Sequence, residues 1–309
     1  MKRYAPLRLL LSAALLLTGA LQAQEPTVPT TAAVVQQPKV GFSIIKTSKV
    51  AVPERLLVPG GSFTQKIDTN FSAFLIKHND DYLLFDTGLG KNIEGQYAQD
   101  MPYWMRPFFK FDKPVVSARE QLDAAGFAPI RQVIISHGHW DHASGVPDFP
   151  EARIMAAQDE MPSITEPQGG GAGAWSSQVS GAATRWSAID FQPVAYKGYA
   201  QSFDLFKDGS VVLVPMPGHT EGSIGLFVTT DSGKCYFFIG DVAWKMAALK
   251  AGAPKFWAAS LIVDRERTQT QGSVEKVREV MRQFPELVVV PAHDAAVHDA
   301  LGYFPNWVR

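Results

Sequence analysis

From Val40 onward the chain alternates short apolar runs with polar turns. "VGFSII", "FSAFLIK" and "DYLLFDTG" are rich in β-branched and aromatic residues and predict strands. The tetrapeptide "HNDD" between the last two reads as a turn. "SAREQLDAAGF" predicts a helix: Ser117 and Glu120 fit a capping box at its start, and Gly126 fits its C-terminal stop. Further strands are predicted for "RQVIIS" (Arg131 to Ser136), "EARIMAA", "GSVVLVPMPGH" and "ELVVVPAHD". "SIGLFVTTDSGKCYFFIGD" reads as two strands around an Asp-Ser-Gly turn, and "SVEKVREVMRQF" as an amphipathic helix. "GGGAGAWSSQVSG", from Gly169, is dominated by small residues and predicts a mobile or loosely helical stretch. Strand runs mixed with single helices predict one layered α/β domain over residues 40–309.

The first residues follow a different pattern. "MKRYAPLR" is basic, "LLLSAALLLTGAL" is apolar but short for a membrane span, and "LQAQEP" offers small-residue cleavage. Residues 1–23 therefore read as a cleaved signal peptide, cut after Ala23 or, second, after Ala20. No cysteine follows, so a lipid-anchored form is not expected. The expectation is a periplasmic or secreted protein with no stable membrane association after cleavage. Residues 24–39, rich in Pro, Thr and Gln, predict a flexible linker.

Composition removes several classes. The 29 Lys and Arg nearly equal the 30 Asp and Glu, with no basic tract, which argues against nucleic acid as a partner. The one cysteine, Cys235, excludes an intrachain disulfide and a thiolate cluster, and its setting reads as a core strand.

The candidate chemistry lies in "SHGHWDHASG", residues 136–145, which spends three of seven histidines and one aspartate within six positions. His137 comes directly after the strand-like run, where alternation stops forcing successive side chains to opposite faces. His137, His139, Asp141 and His142 can then converge as nitrogen and oxygen ligands of a metal. His219, Asp241 and His293 each also follow a strand-like run, "VVLVPMPG", "CYFFIG" and "LVVVPA". Several strands delivering polar residues to one sheet edge is how an α/β scaffold builds a site. His78, in the turn, and His298 are expected at the surface.

These motifs resemble those of the metallo-β-lactamase-fold hydrolases. "HGHWDH" is similar to their H-x-H-x-D-H signature, and "PGHTEGSIG" (Pro217 to Gly225) to their P-G-H-T-x-G-S segment. "IGD" at 239–241, "PAHD" at 291–294 and "FDTG" at 85–88 follow in the family's pattern, so the resemblance spans roughly residues 40–300. It implies a four-layer αβ/βα sandwich with two divalent metal ions, zinc by default and iron, manganese or cobalt as alternatives. His137, His139 and His219 would hold the first ion. Asp141, His142 and His293 would hold the second, with Asp241 bridging. Asp86 would orient a ligand imidazole. The implied reaction is hydrolysis by a hydroxide bridging the two ions, with Asp241 and Asp141 as the catalytic carboxylates and Asp141 guiding a proton to the leaving group.

The resemblance also narrows the substrate, a small molecule. Asp241 stands where typical β-lactamases carry Cys or Ser, and no basic C-terminal patch for a glutathione thioester is evident. N-acyl homoserine lactonases share the seven ligands but usually carry a tyrosine where this chain has Trp244. Secreted organophosphate hydrolases share the ligand set too. The aromatic segment "MPYWMRPFFKF", with Tyr103, Trp104, Phe108 and Phe109, is expected to wall the cleft opposite Trp244 and to favour an apolar substrate moiety; its alternative use is a homodimer contact. The leading expectation is an exported hydrolase of lactones or related esters. Behind it stand aryl-ester or organophosphate hydrolysis, thioesterase or β-lactamase activity, and then an iron-dependent oxidoreductase or a non-catalytic metal binder.

Overall fold

The computed structural model describes residues 39–309; the segments expected to be a signal peptide (1–23) and, but for Lys39, a linker (24–39) lie outside the described residues. Two sheets form the centre. The first has strands β1 (Val40–Pro53), β2 (Lys66–His78), β3 (Asp81–Phe85), β4 (Gln132–Ile134), β5 (Arg153–Ala157) and β6 (Arg185–Ile189), paired in that order. β1 to β3 are antiparallel, and β3 to β6 run parallel. The second sheet contains β7 (Phe203–Asp204), β8 (Val211–Pro215), β9 (Ile224–Thr229), β10 (Cys235–Phe238) and β11 (Val288–Val290), again in sequential order. Its pairs are antiparallel except the parallel β10–β11 edge.

The period of two along the strands makes the layers. Phe42, Ile44, Phe74, Ile76 and Phe85 of the first sheet meet Leu213, Leu226, Val228, Phe238 and Val290 of the second in one buried cluster. Alternate residues Ile45, Ala73, Leu75, Val133 and Ile154 face the other way, onto Ala118, Leu122, Val146 and Ile164. On the far side Val212, Val214, Phe227 and Phe237 pack against Val274, Val277 and Val280 of the helix Arg267–Gln283. Helices thus cover both outer faces of two packed sheets, the αβ/βα sandwich expected from the sequence. Full burial of each large ring in the central cluster contributes about 2–3 kcal/mol.

Several local readings match. Ser117 accepts from the Glu120 backbone while Glu120 accepts from the Ser117 backbone, a complete capping box, and Gly126 takes a positive φ after the helix. Others need correction. The long helix begins at Arg267, six residues before the predicted start, because the Glu266 carboxylate caps the amides of Thr268 and Gln269. The small-residue stretch after Gly169 is packed: Trp175 is fully buried, its indole donates to the Gly170 carbonyl, and Ser176–Val179 is a short helix. His78 and His298 are not surface residues. His298 is fully buried on Asn70 and the Pro291 carbonyl, and His78 stacks on Phe206 while bonded to Asp208. Cys235 is half-buried at the start of β10.

Candidate metal centre

Five strand ends, two from the first sheet and three from the second, deliver residues to one cluster. Asp86 follows β3, His137 follows β4, His219 follows β8, Asp241 follows β10 and His293 follows β11. Glycines permit the turns. A Cβ on Gly218, at φ +129°, would stand 2.1 Å from the Thr270 nitrogen, and one on Gly222 would stand 2.2 Å from the Glu160 nitrogen. His139 immediately precedes the short helix Trp140–Ala143, which carries Asp141 and His142.

All seven sequence-designated residues converge. The ligand atoms of His137, His139 and His219 lie within 4.8 Å of one another, as do those of Asp141, His142 and His293. Asp241 stands between the groups. Its Oδ2 is 3.4 Å from His219 Nε2, while its Oδ1 is 3.4 Å from His142 Nε2 and 3.0 Å from His293 Nε2. Asp141 Oδ2 is 3.3 Å from His293 Nε2 and 3.8 Å from His142 Nε2.

The far ring nitrogens fix the imidazoles. His142 Nδ1 donates to Asp86 Oδ2 at 2.8 Å, and Asp86 also accepts from the Ser136 amide and hydroxyl. Asp86 is therefore where the resemblance places it. His137 Nδ1 donates to Ser136 Oγ at 3.0 Å, His219 Nδ1 to Asp264 Oδ1 at 2.8 Å and His293 Nδ1 to the Asn70 carbonyl at 2.7 Å. The Ala172 backbone holds His139. These partners select the tautomer that turns each Nε2 lone pair inward. The Nε2 atoms of His137, His139, His142 and His219 and Oδ1 of Asp241 are buried with no hydrogen-bond partner. Native interiors seldom leave buried polar atoms unsatisfied. Five such atoms around one point, all nitrogen or oxygen donors, fit a divalent metal centre.

Charge follows from burial and neighbours. Burial holds His137 and His139 well below the usual histidine range, reinforced by the neighbouring histidines. Burial also opposes charge on His142, but Asp86, Asp141 and Asp241 override it and raise its pKa. Burial pushes the Asp141 carboxyl up. Asp241 goes the other way: burial opposes its charge, and His293 and His142 hold it well below the carboxylate range.

Several functional neighbours carried no sequence signal. Buried Glu160 accepts from Gly138 N (2.7 Å), Thr220 Oγ1 (2.6 Å) and Gly222 N (3.1 Å), and so ties the two histidine loops together. Asp264 supports His219 and takes a bond from Lys255 Nζ at 2.6 Å.

The expected pocket residues have different surroundings. Tyr103, Trp104 and Phe108 are 85%, 68% and 73% exposed. Phe109 is half-buried beside Met105 and Trp175, on the buried face of its segment. Trp244 is at the centre, but its indole N–H donates to Asp241 Oδ2 at 2.7 Å, so that donor is committed to the protein rather than to a substrate.

Comparison with known proteins agrees with this architecture. A probable metallo-hydrolase of Mycobacterium tuberculosis is 28% identical over 238 residues, covering 72% of this chain and 74% of that protein. N-acyl homoserine lactonase AttM of Rhizobium johnstonii is 25% identical over 243 residues, covering 76% and 85%. A solved N-acyl homoserine lactone hydrolase, with N-hexanoyl-L-homoserine bound at its catalytic metal center, superposes with a TM-score of 0.69 at 14% identity, over 88% of this chain and 100% of that one; this likeness shows the shared fold. Residues 70–293, from within β2 to the last histidine of the cluster, match the metallo-beta-lactamase superfamily model, and the chain is a metal-dependent hydrolase belonging to that superfamily.

Proposed function

We infer that this hydrolase opens lactones or closely related esters that carry an apolar moiety, using two divalent ions, zinc first among them. The observation that carries the reading is the two-sided Asp241, with one oxygen toward His219 and the other toward His142 and His293. Divalent ions at such a centre supply Lewis acidity toward a carbonyl oxygen and a nucleophile from water at neutral pH. The lactonase relatives support the choice of lactone over other acyl compounds.

The chain's own residues account for the rest. Asp86, Ser136, Asp264 and the Asn70 carbonyl hold four imidazoles in register, so the centre is organised before substrate arrives. Asp141 is the least enclosed member of the cluster, with its side chain 11% exposed. Burial raises its pKa, which suits a carboxyl that takes up a proton and passes it to the leaving alkoxide. The balanced reaction adds water across the ring ester bond: the acyl carbon gains hydroxyl, the C–O bond breaks, and the alkoxide is protonated to a hydroxy acid.

The test is the initial rate of ring opening of a long-chain N-acyl homoserine lactone by metal-loaded protein, with metal content measured on the same sample. Turnover that a chelator abolishes and added Zn2+ restores supports the reading. No turnover by protein holding two ions overturns it and moves phosphotriesters and aryl esters forward. Export is a separate proposal, resting on "LLLSAALLLTGALQA". Mature protein recovered outside the cytoplasm with Gln24 or Leu21 at its N-terminus supports it; intact Met1 in the cytoplasm overturns it.

A further inference from the structure

Trp244 and Lys255 lie on one side of the centre. Trp244 Nε1 donates to Asp241 Oδ2 at 2.7 Å, the oxygen that also lies 3.4 Å from His219 Nε2. Asp241 Oδ1, which faces His142 and His293, has no hydrogen-bond partner. The bridging carboxylate is therefore braced on one oxygen only. Lys255 Nζ stands 5.4 Å from the centroid of the Trp244 ring, within cation–π range. The same ammonium donates at 2.6 Å to Asp264 Oδ1, the acceptor of His219 Nδ1. The lysine side chain is only 4% exposed. A buried ammonium thus touches both supports of one half of the centre: the carboxylate behind His219 and the indole behind Asp241.

We propose that Trp244 and Lys255 form a positioning clamp that sets the affinity of the metal position held by His137, His139 and His219, separately from the position held by Asp141, His142 and His293. The proposal rests on the metal-binding reading above. Its chemistry is simple. An indole N–H is a rigid donor with no acceptor capacity, so it fixes the rotation of the carboxylate without competing for the ion. Its bond to an ionised carboxylate is charge-assisted. Lys255 balances the charge of Asp264 and holds the indole plane. The opposite half has supports of its own: Asp86 for His142 and the Asn70 carbonyl for His293. Trp244 braces the Asp241 oxygen on the His219 side and Lys255 the carboxylate behind His219, so loss of the clamp falls mainly on that position although Asp241 serves both.

The experiment is stepwise Zn2+ titration of metal-stripped full-length protein against a chromophoric chelator, with Co2+ spectra in parallel. Trp244→Phe keeps a ring for the lysine and removes the N–H; Lys255→Met removes the charge. Each is expected to weaken one of the two binding constants about 10-fold or more. The other constant should stay within about 3-fold, and the Co2+ ligand-field band of the affected position should shift. A merely structural role predicts instead that both constants fall together, and that result overturns the clamp. So do wild-type constants and spectra in Trp244→Phe. If the variants do not fold, the wild-type protein decides through 15N-indole spectra. One of its seven tryptophan N–H signals must exchange slowly and move as the ion of one position binds; if none does, the clamp is overturned. A wild-type chain that binds no metal overturns the metal reading and the clamp with it, whereas two ions with unchanged variant constants overturn the clamp alone.

Discussion

Asp86 Oδ2 accepts from His142 Nδ1 at 2.8 Å, and Asp86 holds this contact from a backbone at φ +59°. The left-handed conformation is uncommon outside glycine, asparagine and aspartate. It aims both carboxylate oxygens at the next strand end, where they meet the Ser136 amide and hydroxyl as well. One residue after β3 thus fixes the start of the histidine loop after β4.

Asp86→Asn tests that role. Asparagine tolerates the backbone but sets an amide N–H2 against donors that need an acceptor, leaving at least one buried group unsatisfied. The expected costs are about 1–3 kcal/mol in folding stability and roughly 10- to 100-fold in metal affinity. Urea unfolding and chelator competition read the two separately. Unchanged metal affinity would show that Asp86 serves only the fold.

What the sequence made legible divides along contact distance. Strand ends and the H-x-H-x-D-H spacing are local, so His137, His139, Asp141 and His142 were visible as a group, and His219, Asp241 and His293 as strand-end residues. The capping box at Ser117 and Glu120 is likewise local. The supports are not. Asp264 meets His219 from 45 positions away, and the Asn70 carbonyl meets His293 from 223 away. A backbone carbonyl has no residue signature at all. His298 was misread for the same reason: it is enclosed by Asn70, 228 positions away, and by Phe74, besides the nearby Pro291 carbonyl. In the aromatic segment one face, through Met101, Met105 and Phe109, packs on Trp140 and Trp175, while Tyr103, Trp104 and Phe108 are exposed, a division that rests on contacts far along the chain.

Glu160 shows how far such a support reaches. It joins the loop of His137 and His139 to the loop of His219 through three accepted hydrogen bonds. Glu160→Ala strands the Gly138 and Gly222 amides, and each buried unsatisfied donor costs about 1–3 kcal/mol. The expected result is a stability loss of roughly 3 kcal/mol, with weaker binding of the ion held by His137, His139 and His219. Glu160→Gln keeps two acceptor lone pairs and should lose less. Equal losses for the two variants in urea melts would show that charge, not acceptor geometry, matters.

Tyr103, Trp104 and Phe108 make little contact with the core, so truncation to serine should change stability by no more than about 0.5 kcal/mol each. If the segment closes over an apolar substrate tail, the same variants raise KM for long-chain lactones and leave short-chain ones unchanged. A KM indifferent to chain length would remove these rings from substrate binding. Sedimentation of the triple variant then tests their alternative use as a contact between two copies.

His298 provides a pH signature independent of catalysis. It is fully buried, its Nε2 donates to the Pro291 carbonyl at 3.0 Å, and its Nδ1 accepts from Asn70 Nδ2 at 3.3 Å. Protonation would turn that acceptor into a second donor facing an amide N–H. Burial, only partly offset by the bond to Pro291, lowers its pKa from 6.5 to about 4. In the unfolded chain the ring takes a proton near 6.5, so between these values the unfolded state binds more protons and stability rises with pH. The contribution is fully present above about 6.5 and is lost as pH falls toward 4, by about 2 kcal/mol between pH 7 and pH 5. His298→Gln cannot titrate. The variant is expected to be less stable at pH 7, but its loss on moving to pH 5 should be smaller than that of the wild type by about that amount. Carboxylates elsewhere contribute equally to both proteins, so the difference between the two slopes in denaturant melts isolates the histidine. Parallel slopes would mean that His298 stays neutral in both states or charges in both.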